Sequence, residues 1–360
     1  MVHILLAAIV VIAFIGRDKD RTITRIAFVL LFLFAALRYM FGNDYNAYME
    51  KFQQIQNGRL DVFDWEYLYT LLNLVTPSFY ILVALTSLIF VYGIYRLISR
   101  ELPKNYVWLG LLIFVINPYL FMVNLSAMRQ CLSMVLVISA VSYASQRKVV
   151  PYLLLMVAAS LFHMSAIFLL PAYFIMDTKP VKSGAIVIIL LVLFLGLYIV
   201  DVQSVLLSVA RFLGNSNYLY YASTDLQNSL RATLLTAIYF IFVLTNLPKL
   251  KGRMLVYGKL YLVGTMLGVL AFRASMLTRI QMYFDIFSVV VIPAIMVELR
   301  KEGIVKVDPK HPIASMWACV NHYALPILIF AVFILRYYSF FTNPMWEPFF
   351  EYHTIFELIN

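Results

Sequence analysis

Three side chains in this sequence could accept or donate a proton during catalysis, and each interrupts an apolar stretch. Asp44 follows a long apolar run, and Glu66 stands just before a short one. His163 lies alone within the apolar segment 151–175. Carboxylates and imidazoles are the usual general acids and bases of enzymes. We therefore take Asp44, Glu66 and His163 as the candidate catalytic residues.

A second group of residues could bind a phosphorylated substrate, and arginines predominate in it. The planar guanidinium binds phosphate through two hydrogen bonds and is less strongly hydrated than the lysine ammonium. Most of these arginines stand near the ends of apolar segments. The candidate substrate-binding residues are Arg38, Tyr45, Arg129, Gln130, Arg273, Arg279, Tyr283 and Asp285.

The candidates near the N-terminal half have structural alternatives that the sequence leaves open. Arg38 and Asp44 could form an ion pair at the membrane surface. Glu66 could be a negative charge that favours the N-terminus of a helix. His163 could be a hydrogen-bonded core residue, which is the usual place of a lone histidine in an apolar helix.

Asp285, Arg129 and the C-terminal stretch also have structural alternatives. Asp285 could bind sugar or simply neutralise Arg279. A charge within a membrane span is costly unless it faces the helical bundle, which favours a functional role for Arg129. The aromatic C-terminal stretch 343–352 could stack on sugar rings or anchor the chain at the membrane interface, and the second role is favoured.

The composition places these residues in a membrane protein. Apolar residues make up 63% of the chain and charged residues 13%, whereas soluble domains contain roughly half and a quarter. The net charge of +10 does not indicate a nucleic-acid partner, because most lysines and arginines fall in short loops of one predicted membrane face. The sequence has no Gly-rich phosphate loop, His-Glu-x-x-His motif or nucleophile elbow, so we expect no nucleotide, metal or other cofactor.

The apolar runs predict an all-α fold, a polytopic transmembrane bundle of about 12 helices. Residues 1–360 are predicted to form a single integral-membrane domain, with an external loop at 42–77 and an external segment at 201–230. Helices are predicted near residues 2–16, 23–41, 78–95, 105–123, 130–145, 149–162, 164–176, 185–200, 231–247, 259–272, 281–297 and 318–338.

The segment 151–175 is predicted to be two short helices that meet at His163. If it were one span, the basic segments 249–259 and 300–310 would lie outside, against the positive-inside rule. Each half gives roughly 18 Å of α-helix, which is short of a bilayer core of about 30 Å. Such a broken or re-entrant pair is tolerated where it is buried in protein or lines a watery cavity. This topology puts His163 and both chain termini on the outer face.

Several short motifs follow one another between about residue 20 and residue 300. They are Arg38…Gly42-Asn-Asp44-Tyr45, Trp65-Glu66-Tyr-Leu-Tyr, Asn124…Arg129-Gln130, Phe162-His163-Met-Ser-Ala and Leu277-Thr-Arg279…Tyr283-Phe284. In order and spacing they resemble the EpsG family of bacterial exopolysaccharide proteins, which is related in role to the Wzy-type polysaccharide polymerases.

The resemblance implies polymerisation of undecaprenyl-pyrophosphate-linked oligosaccharide repeat units at the outer face of the bacterial cytoplasmic membrane. It also implies the lipid bilayer, a chain-length regulator and a flippase as partners. Arginines would stabilise the pyrophosphate leaving group, and Asp44 or His163 would take the proton from the incoming hydroxyl. Two other functions stay open, a lipid-linked oligosaccharide flippase and a membrane O-acyltransferase that modifies the polysaccharide.

Overall fold

Helices make up almost all of the described chain, which confirms the predicted all-α class. The computed structural model describes residues 2–17, 21–61, 66–180, 230–272, 277–305 and 310–358, with the single positions 192, 204, 208 and 211. Its α-helices are α1 (Val2–Ile15), α2 (Arg21–Ala36), α3 (Tyr45–Gln56), α4 (Tyr67–Val75), α5 (Phe79–Glu101), α6 (Val107–Ile116), α7 (Met122–Ser126), α8 (Met128–Ala144), α9 (Val149–Phe162), α10 (Leu230–Asn246), α11 (Gly252–Leu270), α12 (Leu277–Asp285), α13 (Ser288–Glu302), α14 (Pro312–Cys319) and α15 (Leu325–Thr342).

The chain forms two compact units. The first comprises residues 1–173 and 331–360, and the second comprises residues 174–330. In the first unit α2 packs against both α1 and α5, and α8 packs against both α5 and α9. In the second unit α11 packs against α10, α12 and α13.

Four of the described helical stretches are long and apolar enough to cross a membrane. They are Phe79–Glu101, Leu230–Lys249, Gly252–Leu270 and Pro312–Thr342. The helices α12 and α13 meet at a bend of 49° and would make a fifth span if they cross together. Shorter apolar helices of 10–17 residues surround these spans in the sequence, so the chain has the helical composition of a multi-pass membrane protein.

The break at His163 is where the sequence predicts it. Helix α9 ends at Phe162, His163 has an extended backbone, and a 3₁₀ helix runs from Met164 to Ile175. A 3₁₀ helix rises about 2.0 Å per residue against 1.5 Å in an α-helix. The second half of the pair is therefore longer than the α-helix that the sequence predicts for it.

Three other predicted helices are shortened, interrupted or bent in the structure. The helix predicted at 23–41 ends at Ala36, because the next residues form a short strand, β1 (Arg38–Tyr39), that pairs with β2 (His353–Thr354). The helix predicted at 105–123 is interrupted after Ile116, where Pro118 disfavours a helical conformation in the residue before it. The helix predicted at 281–297 is the bent pair α12 and α13.

The structure describes most of one of the two predicted external segments. Segment 42–77 is more than a loop, since it contains helices α3 and α4. The helix predicted at 185–200 and the segment 201–230 lie outside the described residues, apart from single positions.

Candidate active site

The Glu66 carboxylate is the centre of a buried polar cluster in the first unit. Arg129 Nη1 forms a short ion pair with Oε2. His163 Nδ1 lies 2.6 Å from Oε1, and the backbone N–H of Met164 donates to the same oxygen at 3.3 Å. The side chains of Glu66 and His163 are 7% and 8% exposed, whereas that of Arg129 is 20% exposed. Arg129 is therefore the member of this triad that the described protein covers least.

Three separate segments bring the triad together. Glu66 immediately precedes α4, Arg129 is the second residue of α8, and His163 stands at the break after α9. Helix α9 packs against both α4 and α8. The Glu66 side chain forms no cap hydrogen bond with α4, and its contacts run instead to the segments that carry Arg129 and His163.

Arg129 is held by a second contact from α3. Its Nε donates to the hydroxyl oxygen of Tyr48 at 3.0 Å, and its guanidinium carbon lies 5.6 Å from the centre of that ring. Tyr69 packs edge-on against Tyr48 with 5.8 Å between ring centres. The arginine is therefore oriented from two sides, by the Glu66 carboxylate and by a neutral phenol.

The charge state of Glu66 follows from these contacts. Burial alone would raise the pKa of its carboxyl, but the charges and hydrogen bonds of His163 and Arg129 lower that pKa to about 2. A carboxylate that is ionised at neutral pH only accepts hydrogen bonds, so the proton between Glu66 and His163 belongs to the histidine Nδ1. Such a weakly basic carboxylate is suited to hold the imidazole, and less suited to take a proton from substrate.

This pKa predicts an acid-sensitive contribution to stability. The folded-state pKa of Glu66 is about 2 against an ordinary value of 4.5, so the contribution is complete above about pH 4.5 and is lost as the pH falls towards 2. Thermal unfolding in detergent between pH 6 and pH 2.5 should show it as the difference between the wild type and Glu66→Gln. Parallel pH profiles for the two proteins would contradict the prediction.

Asp44 lies at the edge of this cluster. It is exposed, and its backbone N–H donates to the Ser126 hydroxyl at 2.9 Å. It directly precedes α3 and stands four residues before Tyr48, so the two side chains project from the same side of that helix.

Arg38 and Tyr45, by contrast, are built into the protein interior. Arg38 is 1% exposed and donates to the carbonyl oxygen of Ala35, to Ser87 Oγ at 2.7 Å and to the carbonyl oxygen of Leu125 at 2.9 Å. These carbonyls belong to the last turns of α2 and α7, where helix carbonyls need a partner. The Tyr45 hydroxyl lies 3.4 Å from the Arg38 carbonyl oxygen. The alternative of an ion pair with Asp44 is not seen, and the geometry favours a structural role for Arg38.

The remaining substrate-binding candidates have mixed positions. Gln130 is buried beside Arg129 in α8. In the second unit, Tyr283 is fully buried in α12, while Arg279 and Asp285 on the same helix are partly buried. Arg273 lies outside the described residues. The structure therefore brings Glu66, Arg129 and His163 into contact, and it places the three candidates of α12 on one helix of the other unit.

Asp285 has a partner that the sequence analysis did not single out. Gln281 Nε2 donates to Asp285 Oδ2 at 2.7 Å. Two glycines one turn apart on α11 make room for this pair, because a Cβ on Gly268 would lie 2.6 Å from Gln281 Nε2 and one on Gly264 would lie 2.6 Å from Phe284 Cβ. The Gly-x-x-x-Gly spacing is typical of close helix contacts in membranes and could have revealed this packing.

Tyr48 and Ser126 were also missed, although both touch predicted site residues. The signal for Tyr48 is its spacing of four residues from Asp44 in a helix start. Ser126 carries no signal of its own, since its contact with Asp44 depends on how α7 packs.

The comparisons with known proteins bear on the resemblance. A family model described as the EpsG family matches residues 21–354, nearly the whole chain. Neither the curated proteins nor the solved structures contain a match.

Proposed function

Because this chain belongs to the EpsG family, whose members are membrane proteins of polysaccharide biosynthesis, we propose that it is a polysaccharide polymerase. Its substrates are undecaprenyl-pyrophosphate-linked oligosaccharide repeat units, which it joins at the outer face of the bacterial cytoplasmic membrane. The single observation that carries this proposal is the buried Glu66–His163 pair with the less buried Arg129 bound to the same carboxylate. A base oriented by a carboxylate, next to an arginine, is the arrangement that displacement of a pyrophosphate by a hydroxyl requires.

The proposed reaction has one bond-forming and one bond-breaking event at the anomeric carbon. A hydroxyl oxygen of one repeat unit attacks the anomeric carbon of another, and the bond from that carbon to the pyrophosphate oxygen breaks. His163 Nε2, opposite the ring nitrogen that contacts Glu66, takes the hydroxyl proton and later returns it to water. Undecaprenyl pyrophosphate leaves with the bonding electron pair.

Arg129 and Asp44 have separate roles in this reaction. Arg129 stabilises the negative charge that develops on the leaving pyrophosphate. The exposed carboxylate of Asp44, one helical turn before Tyr48, accepts hydrogen bonds from hydroxyls of the incoming sugar. Glu66 touches neither substrate in this scheme and is a positioning residue that fixes the tautomer of His163. Arg279 on α12, which is partly buried, remains a candidate for contact with phosphate in the second unit.

The orientation in the membrane is part of the proposal, and ion pairs of the second unit support it. Lys259 Nζ lies 2.5 Å from Asp177 Oδ1 and also donates to the carbonyl oxygens of Asp177 and Lys179. Lys249 Nζ lies 2.6 Å from Glu302 Oε1. These contacts join three loops that the charge distribution predicts to be cytoplasmic, as expected if they share one side of the membrane. The topology that the sequence predicts from its basic loops puts both termini and His163 outside.

The test is mass spectrometry of lipid-linked glycans from cells that carry the native pathway with or without this protein. We expect single repeat units to accumulate on the lipid without it and multiples to appear with it. The exposed substitution Ser139→Ala, on the same helix as Arg129, should behave as wild type. Repeat units retained on the inner leaflet would indicate a flippase instead, and unchanged lengths with missing acyl groups would indicate an acyltransferase.

A further inference from the structure

The C-terminal residues 343–357, which we call the tail, bind the segment that leads into the candidate site. We call residues 37–44 the entry segment. The backbone N–H of Gly42 donates to the Pro348 carbonyl at 3.1 Å, and that of Ile355 donates to the Leu37 carbonyl at 3.0 Å. The antiparallel pair β1–β2 lies in the same contact. The tail thus supplies backbone partners along most of the entry segment.

Side chains add to this contact. Asn43 Nδ2 donates to the Met345 carbonyl at 3.2 Å, and the Tyr352 hydroxyl donates to the Phe34 carbonyl at 2.7 Å. The Tyr352 ring also stacks on Phe34 with 4.4 Å between ring centres. Phe349 packs edge-on against Phe41 at 5.3 Å. All of these residues belong to the first unit.

The aromatic rings of the tail are used within the protein. Trp346 stacks on Phe340 with 4.7 Å between ring centres and meets the edge of Tyr119 at 5.9 Å. Tyr352 and Phe349 are 7% and 0% exposed. Rings engaged in this way are poorly placed to stack on sugar, which agrees with the preference for a structural role.

The entry segment has a backbone that needs external support. Met40 has φ of 49° and Gly42 has φ of 113°, and a positive φ is unfavourable for a residue with a side chain. Such a conformation persists only where surrounding contacts fix it. A Cβ on Gly42 would lie 3.2 Å from Ser126 Cβ and 3.4 Å from the Phe349 ring, so the segment is enclosed between α7 and the tail.

The entry segment ends at the candidate site. Asp44 is its last residue, and its backbone N–H is bound by Ser126 Oγ at 2.9 Å. Helix α3 starts at the next residue and carries Tyr48, whose hydroxyl binds Arg129. A shift of the entry segment would therefore move Asp44 and Tyr48 together.

We propose that the tail is a positioning element of the polymerase site, which fixes the entry segment and through it Asp44 and Tyr48. This inference rests on the proposed function and deepens it. The tail contacts no substrate in this account. Its loss changes how well the site binds the incoming repeat unit, beyond any change in the amount of folded protein.

The first test is steady-state kinetics in proteoliposomes with purified lipid-linked repeat unit, normalised to folded protein. Tyr352→Leu removes the stacking and the hydrogen bond, and we expect it to raise KM for the repeat unit about tenfold. Tyr352→Phe keeps the ring and loses only the hydrogen bond. We expect it to raise KM about threefold, since one hydrogen bond contributes modestly to stability. The exposed substitution Met345→Ala keeps the backbone carbonyl and serves as the matched control. An unchanged KM in both Tyr352 variants would overturn the inference.

The second test separates positioning from general stability. In an Asp44→Asn background, which lacks the carboxylate that the tail positions, Tyr352→Leu should raise KM by less than twofold, because the two changes act through the same segment. The same tenfold increase in both backgrounds would show that the tail does not act through Asp44.

A third measurement does not depend on the activity. Hydrogen exchange of the Gly42 amide should be at least tenfold faster in Tyr352→Leu than in wild type, with the amides of α5 unchanged. If the wild type makes no polymer but this difference is found, the proposed function fails and the tail contact stands. If the wild type polymerises and exchange is unchanged, the inference about the tail fails alone.

Discussion

Replacement of His163 by glutamine should lower the polymerisation rate by about 10²- to 10⁴-fold, the usual contribution of a general base. Glutamine can donate an amide N–H towards Glu66, as His163 Nδ1 does at 2.6 Å, but it cannot take a proton. Glu66 keeps its ion pair with Arg129 and its hydrogen bond from the Met164 backbone, so the protein should remain folded. The measurement is the initial rate of polymer formation, normalised to folded protein.

The matched control for this prediction is His311→Gln, because His311 is exposed and belongs to the other unit. It should leave the rate unchanged. If His163→Gln also polymerises at the wild-type rate, His163 is a structural partner of Glu66 and the base must be sought elsewhere, with Asp44 as the next candidate.

Replacement of Arg129 by methionine should destabilise the protein by about 3–5 kcal/mol, the usual cost of breaking a buried ion pair on one side. The Glu66 side chain is only 7% exposed, so its charge would stay buried with less compensation. A second substitution, Glu66→Gln, should recover much of the lost stability, because it removes a buried charge that only His163 and the Met164 N–H would still compensate. The measurement is thermal unfolding of the two single variants and the double variant in one detergent.

The double variant tests whether loss of the Arg129–Glu66 ion pair causes the instability of Arg129→Met. If Arg129→Met with Glu66→Gln is less stable than Arg129→Met alone, the ion pair does not account for the loss. Polymerisation should be absent from Arg129→Met and from the double variant. The double variant restores stability, but it does not restore the positive charge that stabilises the leaving pyrophosphate.

Much of the fold could be predicted because hydrophobic runs and basic loops constrain membrane helices strongly. The break at His163 followed from charge bias alone, and the structure has it at that residue. The 3₁₀ geometry after it could not be predicted, because helix type in an apolar segment depends on tertiary packing. The strand at Arg38 likewise depends on a distant segment, because it pairs with His353–Thr354.

The sequence suggested candidate residues one by one, but it did not indicate the contacts between them. Glu66, Arg129 and His163 were each chosen from local sequence, but the Glu66–His163 contact spans 97 residues of chain, and no periodicity reports such a distance. Arg38 shows the converse. Its position at the end of an apolar run looked like that of an external phosphate ligand. Its guanidinium instead donates to the nearby carbonyl oxygen of Ala35 and to that of Leu125, which lies 87 residues away in the sequence and is brought near only by folding.

The most direct test of the polymerase assignment is reconstitution of the purified protein with lipid-linked repeat units and no other enzyme. Oligomer length and free undecaprenyl pyrophosphate are measured together, for the wild type and for Glu66→Gln with His163→Gln. We expect a ladder of multiples from the wild type, one undecaprenyl pyrophosphate released for each new linkage, and only single units from the double variant. A wild-type ladder from the double variant, or no ladder from the wild type, would contradict it.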